Sequence, residues 1–362
     1  MGQEAENFVT LNTVSESVKV AFLPLSHAPP IRTAVIGFGL SARTFHLPFI
    51  RALASFNLVA LCTSQQALAA QHYPHVRCFE DPERMIEESG AELVVITTPN
   101  HLHFPQARHA LQQGLHVLIE KPMVIDTEQG NELIALAKQH KRVLAPYHNR
   151  RWDSDFLTVK RLLKEQTLGE IKVFESSFNR FRPTPRKRWR EQNIPGAGIL
   201  YDLGPHLIDQ ALMLFGEPQA VSARIDRLRP GAEADDYFHL QLHYPGLEVI
   251  LHSDPYSCGP NPRFRIKGSA GTFIKEGLEP QEPRLRDGIQ PDTPDWAAES
   301  PQDYGTLYGA DNRQTLVSEC GGYQHFYHNL ADAIRLQRPL CVTADEALCG
   351  IKLIQQAYAR PR

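Results

Sequence analysis

No stretch of the sequence reaches the roughly 20 apolar residues needed to cross a bilayer as a helix, so no membrane span is expected. There is no surplus of positive charge either. The formal net charge is −3, which gives no electrostatic basis for binding nucleic acid or an anionic membrane. The six cysteines, Cys62, Cys78, Cys258, Cys320, Cys341 and Cys349, nowhere show the C-x-x-C spacing of a zinc or redox site. Scattered in this way they read as reduced thiols, which points to a cytoplasmic home. Histidine is plentiful, at 16 residues, yet no H-E-x-x-H pair occurs and no metal site is assigned. The start of the chain lacks the basic segment and long apolar core of a secretory signal: Glu4, Glu6 and Glu16 surround it, and the run Val20 to Leu23 ends at Pro24. Met1-Gly2 would begin a myristoylation signal, but position 6 is Glu rather than Ser or Thr. Residues 1–30 are therefore read as a flexible extension closed by Pro29-Pro30.

The remaining chain has the make-up of a folded globular protein, 42% hydrophobic and 22% charged, and its length allows about two domains. From Ile31 short apolar runs alternate with helical stretches. The runs are Ile31 to Gly37, Leu58 to Cys62, Val76 to Phe79, Leu93 to Ile96, His116 to Ile119 and Val143 to Ala145. Apolar on both sides and separated by helices, they predict a doubly wound parallel sheet over residues 31–150. After Tyr147 the pattern changes. Segments such as Val173 to Phe178, Tyr237 to Tyr244, Glu248 to His252 and Arg263 to Lys267 alternate as in a mainly antiparallel sheet with one covered face. A helix is expected from about Pro205 to Phe215, a long loop over 279–303 where Pro, Asp and Glu are frequent, and closing helices over Tyr323 to Gln337 and Asp345 to Ala359. Residues 151–362 thus form a second α/β domain, whose last helix is available to pack back on the first.

The chemistry begins at Gly37-Phe38-Gly39-Leu40-Ser41-Ala42, a G-x-G-x-x-A turn between a strand and a helix. The first glycine permits the tight turn and the second lets the backbone approach a dinucleotide pyrophosphate, while Ala42 occupies the close-packed third position. Helix-terminal N–H groups then face the anion. The next strand ends at Thr63-Ser64, with no acid between Leu58 and Gln71. An acid there would bind the ribose hydroxyls of NAD and repel a 2′-phosphate, so NADP is favoured over NAD, with Thr63, Ser64 and Arg43 as phosphate donors. The competing reading is that Thr63 and Ser64 only cap a turn. Thr97-Thr98-Pro99-Asn100 and Glu120-Lys121-Pro122 end later strands on the same ligand-binding edge. Between Arg180 and Arg190 lie six basic residues interleaved with Phe181, Pro183, Pro185 and Trp189, read as a loop over the active site or a dimer contact.

These motifs together resemble the Gfo/Idh/MocA family of oxidoreductases over residues 31–358. They are Gly37-Phe38-Gly39, Thr98-Pro99-Asn100, Glu120-Lys121-Pro122 and Tyr201-Asp202-Leu203-Gly204-Pro205-His206. Within the family, the run His148 to Leu157, Arg180 to Pro183, Arg188 to Glu191 and Tyr237 to His239 resemble the NADP-dependent scyllo-inositol dehydrogenase branch. The resemblance implies a Rossmann domain, a C-terminal α/β domain whose open antiparallel sheet serves homodimerisation, and reversible oxidation of a secondary hydroxyl on a small polyol or sugar. It implies Lys121, Asp202 and His206 as the catalytic set. Thr98, Pro99, Asn100, His103, Glu120, Asn149 and Trp152 join the glycine turn around the cofactor. The chemistry agrees, because hydride transfer from an alcohol needs a base and a stabiliser of the developing alkoxide. Asp202 is expected to orient or steady the His206 imidazolium. Pro205 leaves the helix start open: a start near Pro205 would put Asp202 outside it, and the two side chains would not need to share a face. Two other functions compete, a different sugar dehydrogenase of the same family and a dinucleotide-sensing protein without turnover. The intact Lys121, Asp202 and His206 speak against the sensor.

Overall fold

The computed structural model describes residues 28–359, so nearly all of the proposed extension lies outside the described residues. The first sheet contains β1 (Ile31–Ile36), β2 (Phe56–Cys62), β3 (Arg77–Phe79), β4 (Leu93–Ile96), β5 (His116–Ile119) and β6 (Leu144–Pro146), all parallel, in the order β3-β2-β1-β4-β5-β6. Val94, Val95 and Ile96 are fully buried, as expected of strands covered by helices on both faces. Between β1 and β2 a π-helical turn, Ala42–His46, runs into α1 (Leu47–Ala52). The other crossovers carry α2 (Gln66–His72), α3 (Pro82–Glu88), α4 (His103–Gln112) and α5 (Thr127–His140). Two of these start on side-chain caps: Asp81 accepts from the Glu83 and Arg84 N–H groups, and Asp126 from that of Gln129. Strand order reverses between β1 and β4, which opens a crevice beyond their carboxyl ends.

After α6 (Ser154–Lys164) and β7 (Ile171–Ser177), the long helix α7 (Ile199–Phe215) precedes β8 (Ala220–Asp226), β9 (Tyr237–Tyr244), β10 (Leu247–Ser253), β11 (Pro262–Gly268) and β12 (Gly271–Glu276). Then follow α8 (Gln281–Arg286), β13 (Gly305–Tyr308), β14 (Arg313–Leu316), α9 (Gln324–Leu336) and α10 (Ala344–Ala359). The eight strands form one sheet, β14-β13-β12-β11-β7-β10-β9-β8, antiparallel throughout except between β7 and β10. Alternation in β9 turns Phe238, Leu240 and Leu242 inward, while His239 and Gln241 stay half-exposed on the other face. Among the described residues, no helix is long and apolar enough to cross a membrane.

Two expectations need correction. The segment 279–303 is not a continuous loop: it holds α8 and a turn of 3-10 helix at Pro301–Asp303, and Glu279 and Gln281 are buried. Helix α7 starts at Ile199, six residues before Pro205, so Pro205 is internal. Its missing N–H and its ring disturb the bonding of the preceding turn.

Candidate active site

The glycine turn is built as the motif requires. Gly37 has φ of +101°, and a Cβ there would collide with the Thr97 hydroxyl. Its N–H donates to the Cys62 carbonyl at 2.8 Å, which ties the turn to the end of β2. At Gly39 the Cβ position meets only open space, and Leu40 is exposed beside it. This is the cradle a pyrophosphate needs. Phe38 is buried and packs edge-on against Tyr73, so only its backbone faces the cleft side of the turn. The Thr63 hydroxyl accepts from the Gln65 N–H at 3.0 Å, which makes it a turn cap, whereas Ser64 is exposed. Arg43 is exposed and lies 5.8 Å over the Phe38 ring.

Glu120 joins this turn to the next strand end. It accepts from the Ser41 hydroxyl, from the Lys121 N–H at 3.0 Å and from His46 Nε2 at 3.1 Å, and His46 Nδ1 in turn meets the Tyr327 hydroxyl at 2.7 Å. Burial would raise the Glu120 carboxyl; His46, Lys121 and Ser41 outweigh it and hold the group down to about 2. Glu120 and Ser41 are thus spent on each other, and their side chains fix the walls of the crevice. His103 is fully buried, with its two ring nitrogens against the Pro122 and Thr98 carbonyls at 2.8 and 2.9 Å, and so braces two strand-end turns. Asn100 donates to the Gly196 carbonyl at 2.7 Å, and Thr98 donates to Gln106. Asn149 is buried. Trp152 is half-buried and packs edge-on against Phe326.

Lys121 reaches across from the first sheet to α7. Its Nζ donates to the Asp202 carbonyl at 2.6 Å and lies 3.3 Å from the Asp202 carboxylate. Arg190 Nε sits 3.2 Å from the same carboxylate oxygen. Burial lowers the Lys121 ammonium from its ordinary value, with Asp202 opposing. Burial would raise the Asp202 carboxyl, but Lys121, Arg190, Arg180 and Arg188 hold it well below the usual carboxylate range.

His206 follows Asp202 by one helical turn, so the two share a face of α7. The expected contact between them is replaced by another. The carboxylate is committed to Lys121 and Arg190, and His206 Nδ1 is buried without a hydrogen-bond partner among the described residues. Burial, then the positive charges of Lys121, Arg150, His148 and Arg263, push the imidazole well below its ordinary value. In this arrangement the Asp202 carboxylate contacts Lys121 and Arg190 and makes no hydrogen bond with His206. Sequence reasoning missed Arg190 as a partner of Asp202, and it missed the support behind the site. Arg151 forks onto Asp209 of α7 at 2.9 and 2.6 Å, and Gln210 donates to the Arg150 carbonyl. The signal was present in the unassigned Arg150-Arg151 pair.

The family description "Oxidoreductase family, NAD-binding Rossmann fold" matches residues 31–148, and "Oxidoreductase family, C-terminal alpha/beta domain" matches residues 160–360. The chain belongs to the Gfo/Idh/MocA family of oxidoreductases. The NADP-dependent scyllo-inositol 2-dehydrogenase of Bacillus subtilis strain 168 is 39% identical over 331 residues, covering 90% of this chain and 92% of that one. An uncharacterized oxidoreductase of Escherichia coli strain K12 is 42% identical over 327 residues, covering 90% and 94%. An oxidoreductase structure from Yersinia pestis superposes with a TM-score of 0.87 at 38% identity, covering 92% of this chain and 95% of its own. As a family member the chain has an NAD(P)-binding Rossmann domain, and its relatives include sugar and polyol dehydrogenases.

Proposed function

We propose that the protein transfers a hydride between a nicotinamide cofactor, NADP in preference to NAD, and a secondary hydroxyl or keto group of a polyol or sugar. Scyllo-inositol and the matching inosose are the first pair to try. The observation that carries this reading is the Lys121 ammonium held by two oxygens of Asp202, with an unprotonated His206 one turn further along α7. The bound nicotinamide supplies the hydride acceptor. Gly37, Phe38, Gly39, Leu40 and Ser41 would line its phosphate cradle, Thr63, Ser64 and Arg43 its adenosine end, and Thr98 to Asn100, Glu120, Asn149 and Trp152 the remaining walls, with His103 bracing two of the strand-end turns from behind.

In the oxidation direction the substrate hydroxyl gives its proton to a ring nitrogen of His206. The carbinol carbon gives up hydrogen with two electrons, and a carbonyl forms. Lys121 donates a hydrogen bond to the oxygen as negative charge develops there, the kind of stabilisation worth most in a water-poor site. Asp202 keeps the ammonium on station. Reduction runs the same transfers backward. Two relatives support the substrate class: the scyllo-inositol enzyme above and a D-glucoside 3-dehydrogenase of Escherichia coli strain K12, which is 30% identical over 53% of this chain.

The test is absorbance at the reduced-nicotinamide band with a panel of polyols and sugars, paired with fluorescence titration of both cofactors. Turnover with at least one polyol and tighter binding of NADP are expected. Tight cofactor binding without turnover of any would support a sensor instead, and equal or tighter NAD binding would remove the cofactor preference.

A further inference from the structure

The basic run after β7 is only partly absorbed by the site just described. Arg190 holds Asp202, and Arg188 pairs with Glu191 at 2.6 Å. Arg180 and Arg182 are different. Each is half-buried, and neither guanidinium has a hydrogen-bond or ion-pair partner among the described residues. Their direction follows from the backbone. The N–H groups of Phe178, Arg180 and Arg182 donate in turn to the carbonyls of His252, Asp254 and Pro255, so the chain continues in strand-like fashion past the end of β7. Alternate residues of such a chain point the same way. Phe178 is buried beside His206, with ring centroids 6.5 Å apart, while Phe181 is 57% exposed. Arg180 thus falls on the side of His206, while Arg182, past a one-residue slip in register, lies beside Arg180, Arg186 and Arg188.

The nearby acids are already taken. Asp202 serves Lys121 and Arg190, Glu282 serves Arg150 and Arg286, and Glu191 serves Arg188 and Arg229. Asp202 and Glu282 still act on Arg180, and Glu191 on Arg182, but without direct contact, so this half-buried region carries a surplus of positive charge that is costly unless something pairs with it. Burial lowers Arg180, and burial with the repulsion of Arg180, Arg186 and Arg188 lowers Arg182 to about 10.

We propose that Arg180 and Arg182 bind an anionic group, carboxylate or phosphate, carried by the polyol or sugar substrate. The proposal rests on the dehydrogenase reading for the rest of the substrate. A planar guanidinium suits either anion, since both accept two parallel N–H bonds.

The experiment measures binding to the full-length enzyme saturated with NADP, by calorimetry. The ligands are glucuronate, glucose 6-phosphate and the neutral glucose, with scyllo-inositol and an inositol monophosphate as a second set. Either the carboxylate or the phosphate ligand should bind at least about tenfold more tightly than its neutral counterpart, the size of one charge-assisted pair. The better of the two tells which anion is meant. In Arg180→Gln, and more fully in Arg180→Gln with Arg182→Gln, that advantage should shrink to within about twofold, while NADP affinity, which reports a folded cofactor site, stays unchanged. Equal binding of charged and neutral ligands by the wild type would overturn the proposal, as would an anion advantage that survives both substitutions. Turnover of neutral polyols without an anion advantage removes the anion site and leaves the dehydrogenase reading standing. Anion binding that both arginines control, with no turnover of any ligand, does the reverse.

Discussion

Lys121 spends its charge on one residue, donating to both the carbonyl and the carboxylate region of Asp202. In Lys121→Ala, Asp202 keeps Arg190 as a partner, so the fold should survive while turnover falls by about 10²–10³. Half of wild-type activity on a good substrate would take Lys121 out of the mechanism. At His206 the sign of the pH effect follows from its lowered pKa: the imidazole is a free base at neutral pH and takes a proton only in acid. Oxidation, which needs the neutral form, should be level through neutral pH and fall as pH drops through the lowered value, while reduction should gain on acidification. His206→Asn should cost about 10²–10⁴ in kcat/KM and flatten both profiles. A mutant that keeps the wild-type pH dependence would show that another group moves the proton. Asp202 and His206 entered only through the resemblance, but the strand-end position of Lys121 was legible. The division of labour was not, because Asp202 finds its partners in Lys121, 81 residues away, and Arg190, in a short 3-10 turn before α7.

Helix α7 carries Asp202, His206 and Asp209, and its placement depends on a buried clamp. Arg151 and Asp209 are 5% and 6% exposed on their side chains and meet through two hydrogen bonds, while Arg151 also donates to the Cys341 carbonyl at 2.7 Å. Asp209→Ala leaves Arg151 only the more exposed Glu346, at 3.2 Å, and the Cys341 carbonyl, so it should destabilise the fold in urea unfolding by somewhat less than the about 3–5 kcal/mol of a fully unpaired buried charge. A loss below about 1 kcal/mol would mean that water or a neighbour replaces the carboxylate. The parallel strands and their helices were readable because burial on both faces leaves an unbroken apolar signature. The segment 279–303 was not. Its acids and prolines have the composition of a solvated loop, yet Glu279 and Gln281 bond to one another and to Tyr323, and burial raises the Glu279 carboxyl. The start of α7 was obscured by Pro205, which ordinarily marks a first turn.

At the scale of the whole molecule, one face of the eight-stranded sheet has no layer over it among the described residues. It presents Ile250, Val173 and Ile274 with Glu175 ion-paired to Arg265 and Lys267 at 3.2 and 2.8 Å. A homodimer joined through this face is expected, and light scattering at micromolar concentration checks it; a stable monomer would count against it. The two-sheet plan itself followed from the change of hydrophobic period near Tyr147, whereas the edge strand β14 and its neighbour β13, four residues each, were too short to register as a period. The hydride transfer proposed for the cleft between these sheets leaves a mark on the cofactor itself. Its most direct test uses the best alcohol of the polyol and sugar panel, deuterated at the carbinol carbon, with mass analysis of the reduced cofactor. One deuterium per reduced nicotinamide is expected, with the rate of that transfer about 10²–10³ lower in Lys121→Ala. Reduced cofactor without deuterium, or transfer undiminished in the variant, would contradict the proposal.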